Sequence, residues 1–269
     1  MATFILIHGS WHGGWCFDEV KALLEAEGHH VVAPDLPGMG GNEEALAAVT
    51  LQGWADFVAD LCRHAPQKPV VLAGHSRGGL VISQAAETAP EAIDALVYIC
   101  AMMLPSGMTR GEFKQLEGPN PRFDALIRPT PGGHGTVIAG QRPGEVFAQM
   151  SPPDRVAWAM ERLVAEPHGP RSEPLQLTAE RFGCIPRTYI ECSADRTIPP
   201  ASQRRMQALV PGAHIEQLWA DHSPFLSRPL ALARLLAGAI PDGISHTTNR
   251  PESAMAISGF PLDSDSMPN

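Results

Sequence analysis

The sequence has few basic residues, and those it has are scattered. Of its 269 residues, 20 are Lys or Arg and 29 are Asp or Glu, which gives a formal net charge of −9. A protein that binds nucleic acid needs a basic face, and no run rich in Lys or Arg is present. The composition therefore argues against a nucleic acid as partner.

Cysteine and long apolar runs are scarce as well. The five cysteines are odd in number and form no CxxC pair, so neither a disulfide framework nor a zinc knuckle is predicted. No group of His, Asp and Glu has the spacing of metal ligands. The start, MATFILIHGS, lacks a basic region, and its apolar run is far too short for a signal peptide or a membrane span. We expect a cytoplasmic protein without a membrane span.

Short apolar runs alternate with segments of helical spacing along most of the chain. Buried strands are predicted at Thr3–Gly9, Val70–Ala73, Ile93–Ala101, Arg187–Ser193 and His214–Ala220. Helices are predicted at Phe17–Glu27, Leu51–His64, Gly78–Thr88, Ala201–Leu209 and Leu226–Ala239. Strands that alternate with helices pair in parallel and carry helices on both faces of the sheet. The sequence therefore predicts an α/β fold with a mostly parallel sheet whose strands are buried on both sides.

Two segments interrupt this alternation. Residues 104–183, which we term the insert, are rich in Pro and Gly and have the length of a functional lid. Two amphipathic pieces are predicted within the insert, near Glu145–Met150 and Asp154–Ala165. Residues 242–269 are polar, acidic and without periodicity, which is typical of a disordered tail. The core is then predicted to comprise residues 1–103 and 184–241.

A serine stands between a predicted strand and a predicted helix in VVLAGHSRGGLVIS. Gly74, Ser76 and Gly78 form the pattern Gly-x-Ser-x-Gly, which is typical of a sharp turn that exposes the serine hydroxyl. A serine hydroxyl is a poor nucleophile until a base takes its proton and an acid orients that base. Ser76 is thus a candidate nucleophile if the chain supplies both groups.

Two later strands are followed by the required residue types. Asp195 lies in the loop after one predicted strand, and His222 lies in the loop after the next. Reactive groups on a parallel sheet collect at the carboxyl ends of its strands, and the order Ser, Asp, His is the one this architecture uses. We expect Ser76, Asp195 and His222 to meet. Asp221 is expected to be a solvated or helix-capping residue instead.

A negative charge that develops on a substrate oxygen needs backbone N–H donors. We expect one donor to be the amide of Arg77, the residue after the nucleophile. The other is expected to be the amide of Ser10 in HGSWHGGW, where Gly9 lets the chain turn tightly. Only the amide of Arg77 is needed, so its side chain is expected to be an exposed charge.

Four segments of this sequence resemble the α/β-hydrolase superfamily, and they are LIHGSWHGGWCF, GHSRGG, DRTIPPASQRRMQ and ADHSPFLSRP. They are similar to the branch that contains plant methylesterases, hydroxynitrile lyases and bacterial pyrethroid-hydrolysing esterases. The resemblance implies that Ser76 is the nucleophile, His222 its base and Asp195 the acid that orients the base. It also implies an oxyanion hole formed by the amides of Ser10 and Arg77, and no metal or cofactor.

The residues favour an esterase within this branch. The lyases carry a threonine and a lysine at two positions that here hold Gly9 and Ser223, and the dehalogenases need an aspartate where Ser76 stands. The favoured function is a serine carboxylesterase. A lyase, an amide hydrolase and a non-catalytic ligand-binding receptor of the same fold are the alternatives.

The insert carries many apolar residues, which predicts an apolar pocket. We therefore expect small-molecule substrates that are hydrophobic, uncharged esters, including pyrethroid-type esters. The insert arginines expected to be solvated are Arg122, Arg128, Arg142 and Arg155. The sequence leaves open whether the protein is a homodimer.

Overall fold

The computed structural model describes residues 1–140 and 142–241, so the predicted tail at 242–269 lies outside the described residues. The strands are β1 (Thr3–Ile7), β2 (His30–Val32), β3 (Val70–His75), β4 (Ala95–Ile99), β5 (Ile127–Pro129), β6 (Gly135–Ile138), β7 (Glu166–Pro167), β8 (Arg187–Cys192) and β9 (His214–Leu218). The α-helices are α1 (Asp18–Ala26), α2 (Glu43–Ala48), α3 (Leu51–Arg63), α4 (Gly78–Thr88), α5 (Arg110–Leu116), α6 (Pro121–Asp124), α7 (Gly144–Phe147), α8 (Pro153–Met160), α9 (Gly169–Ser172), α10 (Pro200–Leu209), α11 (Pro224–Ser227) and α12 (Pro229–Gly238). Short 3₁₀ helices occur at Gly14–Phe17, Pro90–Ala92 and Phe182–Cys184. In the described ranges, no helix combines the length and the apolar character that crossing a bilayer requires.

The main sheet has six strands in the order β2-β1-β3-β4-β8-β9, and every neighbouring pair is parallel. This confirms the predicted α/β class with a mostly parallel sheet. The chain passes from β1 outward to β2 and then returns to place β3 on the other side of β1. Such a reversal opens a crevice at the carboxyl ends of the strands. The loops after β1 and β3, which carry Ser10 and Ser76, are therefore neighbours.

Helices cover both faces of this sheet because successive side chains of a strand point to opposite sides. Ile5 and Ile7 of β1 pack into one core layer with the buried residues of α3 and α4. Phe4 and Leu6 of the same strand pack into the other layer with α1 and α12. The central strands are thus buried on both sides, as the continuous apolar runs predicted.

Strand β9 departs from the expected two-sided burial. It pairs only with β8 and forms one edge of the sheet. His214, Ile215 and Gln217 are exposed there, whereas Leu218 is buried. The expectation that all strands are buried on both faces is wrong for this edge. Polar residues on an edge strand protect it from pairing with other chains.

The insert contains more regular structure than its sequence predicted. Helices α7 and α8 overlap the two predicted amphipathic pieces and begin one residue before each, but the antiparallel sheet β5-β6-β7 was not predicted. A side-chain bond of 3.1 Å from Trp11 Nε1 to Thr136 Oγ1 joins β6 to the loop after β1. The insert is therefore tied to the crevice end of the main sheet.

Candidate active site

Ser76 occupies the turn between β3 and α4 with a φ of +53°. This left-handed conformation is unusual for a serine and is held by close approaches of the surrounding backbone. A Cβ on Gly78 would lie 2.6 Å from the carbonyl oxygen of Ile7, and one on Gly74 would lie 2.7 Å from that of Gly78. The two glycines of the pattern therefore allow the turn that presents Ser76.

The structure brings Ser76, His222 and Asp195 together in one hydrogen-bonded chain. Ser76 Oγ lies 3.0 Å from His222 Nε2, and His222 Nδ1 lies 2.7 Å from Asp195 Oδ2. The other oxygen of Asp195 accepts hydrogen bonds from the amides of Thr197 and Ile198, at 2.7 and 2.9 Å. These amides fix the carboxylate, and all three side chains of the chain are buried.

The hydrogen bonds of the His222 ring determine which nitrogen carries the proton. The Asp195 carboxylate can only accept, so His222 Nδ1 carries the proton and donates to it. His222 Nε2 is then free to accept a hydrogen bond from the Ser76 hydroxyl. This arrangement can deprotonate the serine hydroxyl and stabilise the imidazolium that forms.

Three further buried histidines are neutral in the folded protein, and the ring of one of them, His75, lies 4.7 Å from that of His222. Burial lowers the pKa of His8 to about 3 and that of His12 to about 4, and it lowers the pKa of His75 well below its usual value. His75 Nε2 donates to the carbonyl oxygen of His222 at 2.7 Å.

The amides of Ser10 and Arg77 are both free to donate. These two residues border the same cavity as Ser76 and His222. Within residues 1–140 and 142–241, neither amide has a hydrogen-bond acceptor. Their positions suit the oxyanion hole expected from the sequence, and that role stays a prediction.

The side chain of Arg77 is not the exposed charge that the sequence predicted; it is 4% exposed. Its Nε lies 2.6 Å from Oε1 of Glu166, which is itself 2% exposed, and its guanidinium lies 4.3 Å from the centre of the Trp54 ring. Ser10 Oγ donates to the same Glu166 oxygen at 2.9 Å. A single carboxylate at the start of β7 thus holds the side chains of both expected oxyanion-hole residues.

Asp221 is buried, so the expectation of a solvated side chain is wrong, and α11 begins without a side-chain cap. Its Oδ1 accepts from the amide of Ser223 next to α11, at 3.1 Å, and its Oδ2 accepts from the amide of Met150 in the insert. The ring of His222 is held by Asp195 instead.

A cavity of about 60 Å³ lies next to Ser76, which is room for roughly four water molecules. Part of its wall is apolar and consists of Trp11, Met102, Phe123, Ile127, Phe147 and Ile198. The charged part consists of Arg77, Arg110, Glu166 and Arg171. Sequence reasoning missed Arg110, Glu166 and Arg171, because all three lie in polar stretches of the insert that show no recognisable pattern.

His75, Cys100 and His222 form the one group in the described ranges with three potential ligand atoms within 4.8 Å of one another. His222 Nδ1 already bonds to Asp195, and burial raises the pKa of the Cys100 thiol well above its usual value. A protonated thiol is a poor metal ligand. These donors suit a hydrogen-bond network, and the expected absence of metal and cofactor stays a prediction.

Comparison with known proteins gives consistent matches across the chain. A family model described as the alpha/beta hydrolase family matches residues 4–235. A pyrethroid hydrolase of Sphingobium wenxiniae is 35% identical over 248 residues, which cover 88% of this chain and 87% of that protein. A chloroplastic protein of Arabidopsis thaliana with the provisional name methylesterase 14 is 34% identical, covering 87% of this chain and 70% of its own. The crystal structure of a pyrethroid hydrolase from Sphingobium faniae superposes with a TM-score of 0.78 at 33% identity, over 88% of this chain and 96% of that one.

Proposed function

This chain belongs to the alpha/beta hydrolase family, and on that basis we propose that it is a serine carboxylesterase with Ser76 as nucleophile. Relatives named as a methylesterase and a pyrethroid hydrolase support a carboxylic-ester hydrolase. The observation that carries the proposal is the chain of bonds from Ser76 Oγ through the His222 ring to Asp195, at 3.0 and 2.7 Å.

In the first half of the reaction, Ser76 Oγ attacks the ester carbonyl carbon and its proton passes to His222 Nε2. The carbonyl oxygen becomes an oxyanion, which accepts hydrogen bonds from the amides of Ser10 and Arg77. The bond between carbon and the alcohol oxygen then breaks, and His222 gives its proton to the leaving alcohol. Asp195 stabilises the imidazolium throughout.

In the second half, a water molecule attacks the carbonyl carbon of the acyl-enzyme. His222 takes a proton from this water and returns it to Ser76 as the bond between Oγ and the acyl carbon breaks. The products are a carboxylic acid and the regenerated serine. The reaction needs no redox step, and every proton that moves passes through His222.

The apolar part of the cavity supports hydrophobic substrates. Trp11, Phe123 and Phe147 line it and contact one another edge to face. A pyrethroid-type ester is much larger than a cavity of about 60 Å³, so such a substrate requires movement of these walls. We therefore propose that the insert is a lid that opens to admit bulky esters.

The glycine at position 9 disfavours a lyase of the same branch. A Cβ placed on this residue would lie 2.7 Å from Ser76 Cβ, so the threonine of the lyases has no room here without a backbone shift. A receptor of this fold would bind esters without turnover, and an amidase would cleave amides at comparable rates.

Labelling and kinetics together test the proposed function. A fluorophosphonate should modify Ser76 alone, and Ser76→Ala should lose roughly 10⁴- to 10⁶-fold in kcat. Asp195→Asn should lose roughly 10⁴-fold through the wrong imidazole tautomer. The substrates are methyl benzoate, 4-nitrophenyl acetate, the matching anilide and mandelonitrile. Labelling elsewhere, or faster cyanide release than ester hydrolysis, contradicts the proposal.

A cytoplasmic location also belongs to this proposal, whereas the sequence left the homodimer open. The relative from Arabidopsis thaliana is named chloroplastic, so the location needs its own test. Fractionation of the native host tests the location, and sedimentation of the purified protein distinguishes a monomer from a homodimer.

A further inference from the structure

Three arginines border the cavity beside Ser76. They are Arg77 in the turn that carries the nucleophile, Arg110 at the start of α5, and Arg171 in α9. The last two belong to the insert. One cavity next to the reacting serine thus collects three guanidinium groups.

Only two of these three charges are balanced by a carboxylate. Arg77 pairs with Glu166 at 2.6 Å, and Arg110 Nη2 lies 2.8 Å from Glu117 Oε2. In the part of the chain that the structure describes, no carboxylate oxygen lies within 4.0 Å of the Arg171 guanidinium. The charged wall of the cavity therefore carries one positive charge in excess.

Three guanidinium nitrogens of these arginines also lack a hydrogen-bond acceptor. Nε and Nη1 of Arg77 and Nη1 of Arg110 are buried, and none has a hydrogen-bond partner among residues 1–140 and 142–241; Arg77 Nε lies close to Glu166 as an ion pair without hydrogen-bond alignment. Buried donors without partners are rare and costly, more so on a charged group. Burial lowers the pKa of both side chains, their carboxylate partners oppose this, and the charge of Arg171 lowers it further. An anion in this cavity would relieve the repulsion among the three guanidinium groups.

We infer that the preferred substrate is an ester that carries a second, anionic group, a carboxylate, held by Arg77, Arg110 and Arg171 while Ser76 attacks the ester carbonyl. This inference rests on the proposed function and replaces the expectation of an uncharged ester. Guanidinium groups suit a carboxylate because their N–H fork matches its two oxygens. A compact half-ester of a dicarboxylic acid also suits a cavity of about 60 Å³ better than a pyrethroid does.

Matched substrate pairs test the inference. With the charge on the acyl side, monomethyl terephthalate is compared with methyl 4-carbamoylbenzoate. With the charge on the alcohol side, 3-acetoxybenzoate is compared with 3-acetoxybenzamide. Each pair has nearly equal size and differs by one negative charge. We expect kcat/KM for the anionic member to exceed that for the neutral one by about tenfold or more in at least one pair. A ratio near one or below one in both pairs overturns the inference.

Variants identify the arginines as the cause. Arg171→Gln should lower the anionic-to-neutral ratio by roughly 10- to 100-fold, and Arg171→Glu should invert the preference. The matched control is Arg142→Gln, because Arg142 is an exposed arginine of the insert that pairs with Glu145 and lies outside this cavity. The control should leave the ratio unchanged. A ratio that survives Arg171→Gln overturns the inference.

A binding measurement distinguishes failure of this inference from failure of the proposed function. If neither member of any pair is hydrolysed, the proposed function fails, and calorimetry on Ser76→Ala decides the inference. Benzoate should bind this variant at least about tenfold more tightly than benzamide, and the difference should vanish in Ser76→Ala/Arg171→Gln. Equal binding of the two probes to Ser76→Ala rejects the anion site.

Discussion

The amide of Met150, in the insert, donates a 2.7 Å hydrogen bond to Asp221, the residue directly before His222. The same carboxylate accepts from the amide of Ser223 and from Ser227 Oγ, at 3.1 and 2.8 Å. One buried carboxylate therefore joins the insert to the loop that presents the imidazole. Movement of the insert at this point would therefore also move the loop that carries His222.

Asp221→Asn tests this link. The amide offers one acceptor oxygen and sets an N–H₂ group against a donor, so we expect a loss of about 1–3 kcal/mol in the free energy of unfolding. The midpoint of thermal unfolding should fall by about 3–8 °C. Because Asp195 still orients the ring, kcat should fall less than roughly tenfold. Calorimetry and ester kinetics check this, and a loss of kcat as large as that of Asp195→Asn would assign Asp221 the orienting role.

Glu166→Gln should be strongly destabilising, because it leaves the buried charge of Arg77 without a partner. The expected loss is about 3–5 kcal/mol in the free energy of unfolding. The double variant Glu166→Gln/Arg77→Met should recover much of this loss, since the methionine is neutral and still packs on Trp54. Urea denaturation measures both variants. Equal stability of the single variant and the wild type would refute a structural role for the ion pair.

The buried histidines should make the protein less stable in acid. Burial lowers the folded-state pKa of His8 to about 3 and of His12 to about 4, from a usual value of 6.5. The unfolded chain therefore binds more protons below pH 6.5, and stability falls as the pH falls from 6.5 towards about 4. Each histidine contributes about 1.4 kcal/mol per pH unit in this window. Urea midpoints between pH 7.5 and pH 4.5 should show the slope.

The same measurement can be made on a variant. His12→Gln should flatten the slope by about 1.4 kcal/mol per pH unit, because it removes one buried imidazole whose pKa is lowered in the folded protein. An unchanged slope in His12→Gln would mean that carboxylates cause the acid lability.

Gly9→Ala should impair activity, because its Cβ would lie 2.7 Å from Ser76 Cβ and 2.9 Å from His75 Nδ1. The displaced nucleophile should cost roughly 10²-fold in kcat/KM. Gly111→Ala is the control, since its Cβ would meet only Thr109 Oγ1, at 3.8 Å. Measuring kcat/KM of both variants on one ester checks this. Full activity in Gly9→Ala would show that the loop after β1 can shift to accommodate the added methyl group.

The sequence was sufficient to place the candidate triad because its signals are local. Each member lies at the end of a predicted strand or in the loop that follows one, and the carboxyl ends of parallel strands meet at one edge of the sheet. The Gly-x-Ser-x-Gly spacing and the chain order Ser, Asp, His of this architecture supported the same choice. The sequence alone therefore predicted the contact among Ser76, Asp195 and His222.

The charged half of the cavity could not be predicted in this way. The partner of Arg77 is Glu166, which is distant in sequence and stands on a strand of two residues. Strands β5 to β7 are short, include Pro129, Pro167 and Gly135, and show no alternation of polar and apolar residues. Pairing between distant segments decides these contacts, and no local pattern encodes it.

The ion pair between Arg77 and Glu166 limits how this enzyme can be re-engineered. Grafting the insert of a relative onto this core is an obvious route to new substrates, because the insert supplies much of the cavity wall. A grafted insert that places no carboxylate opposite Arg77 leaves this guanidinium buried without a counter-charge. Residue 77 and the insert are therefore best exchanged together, as a single unit.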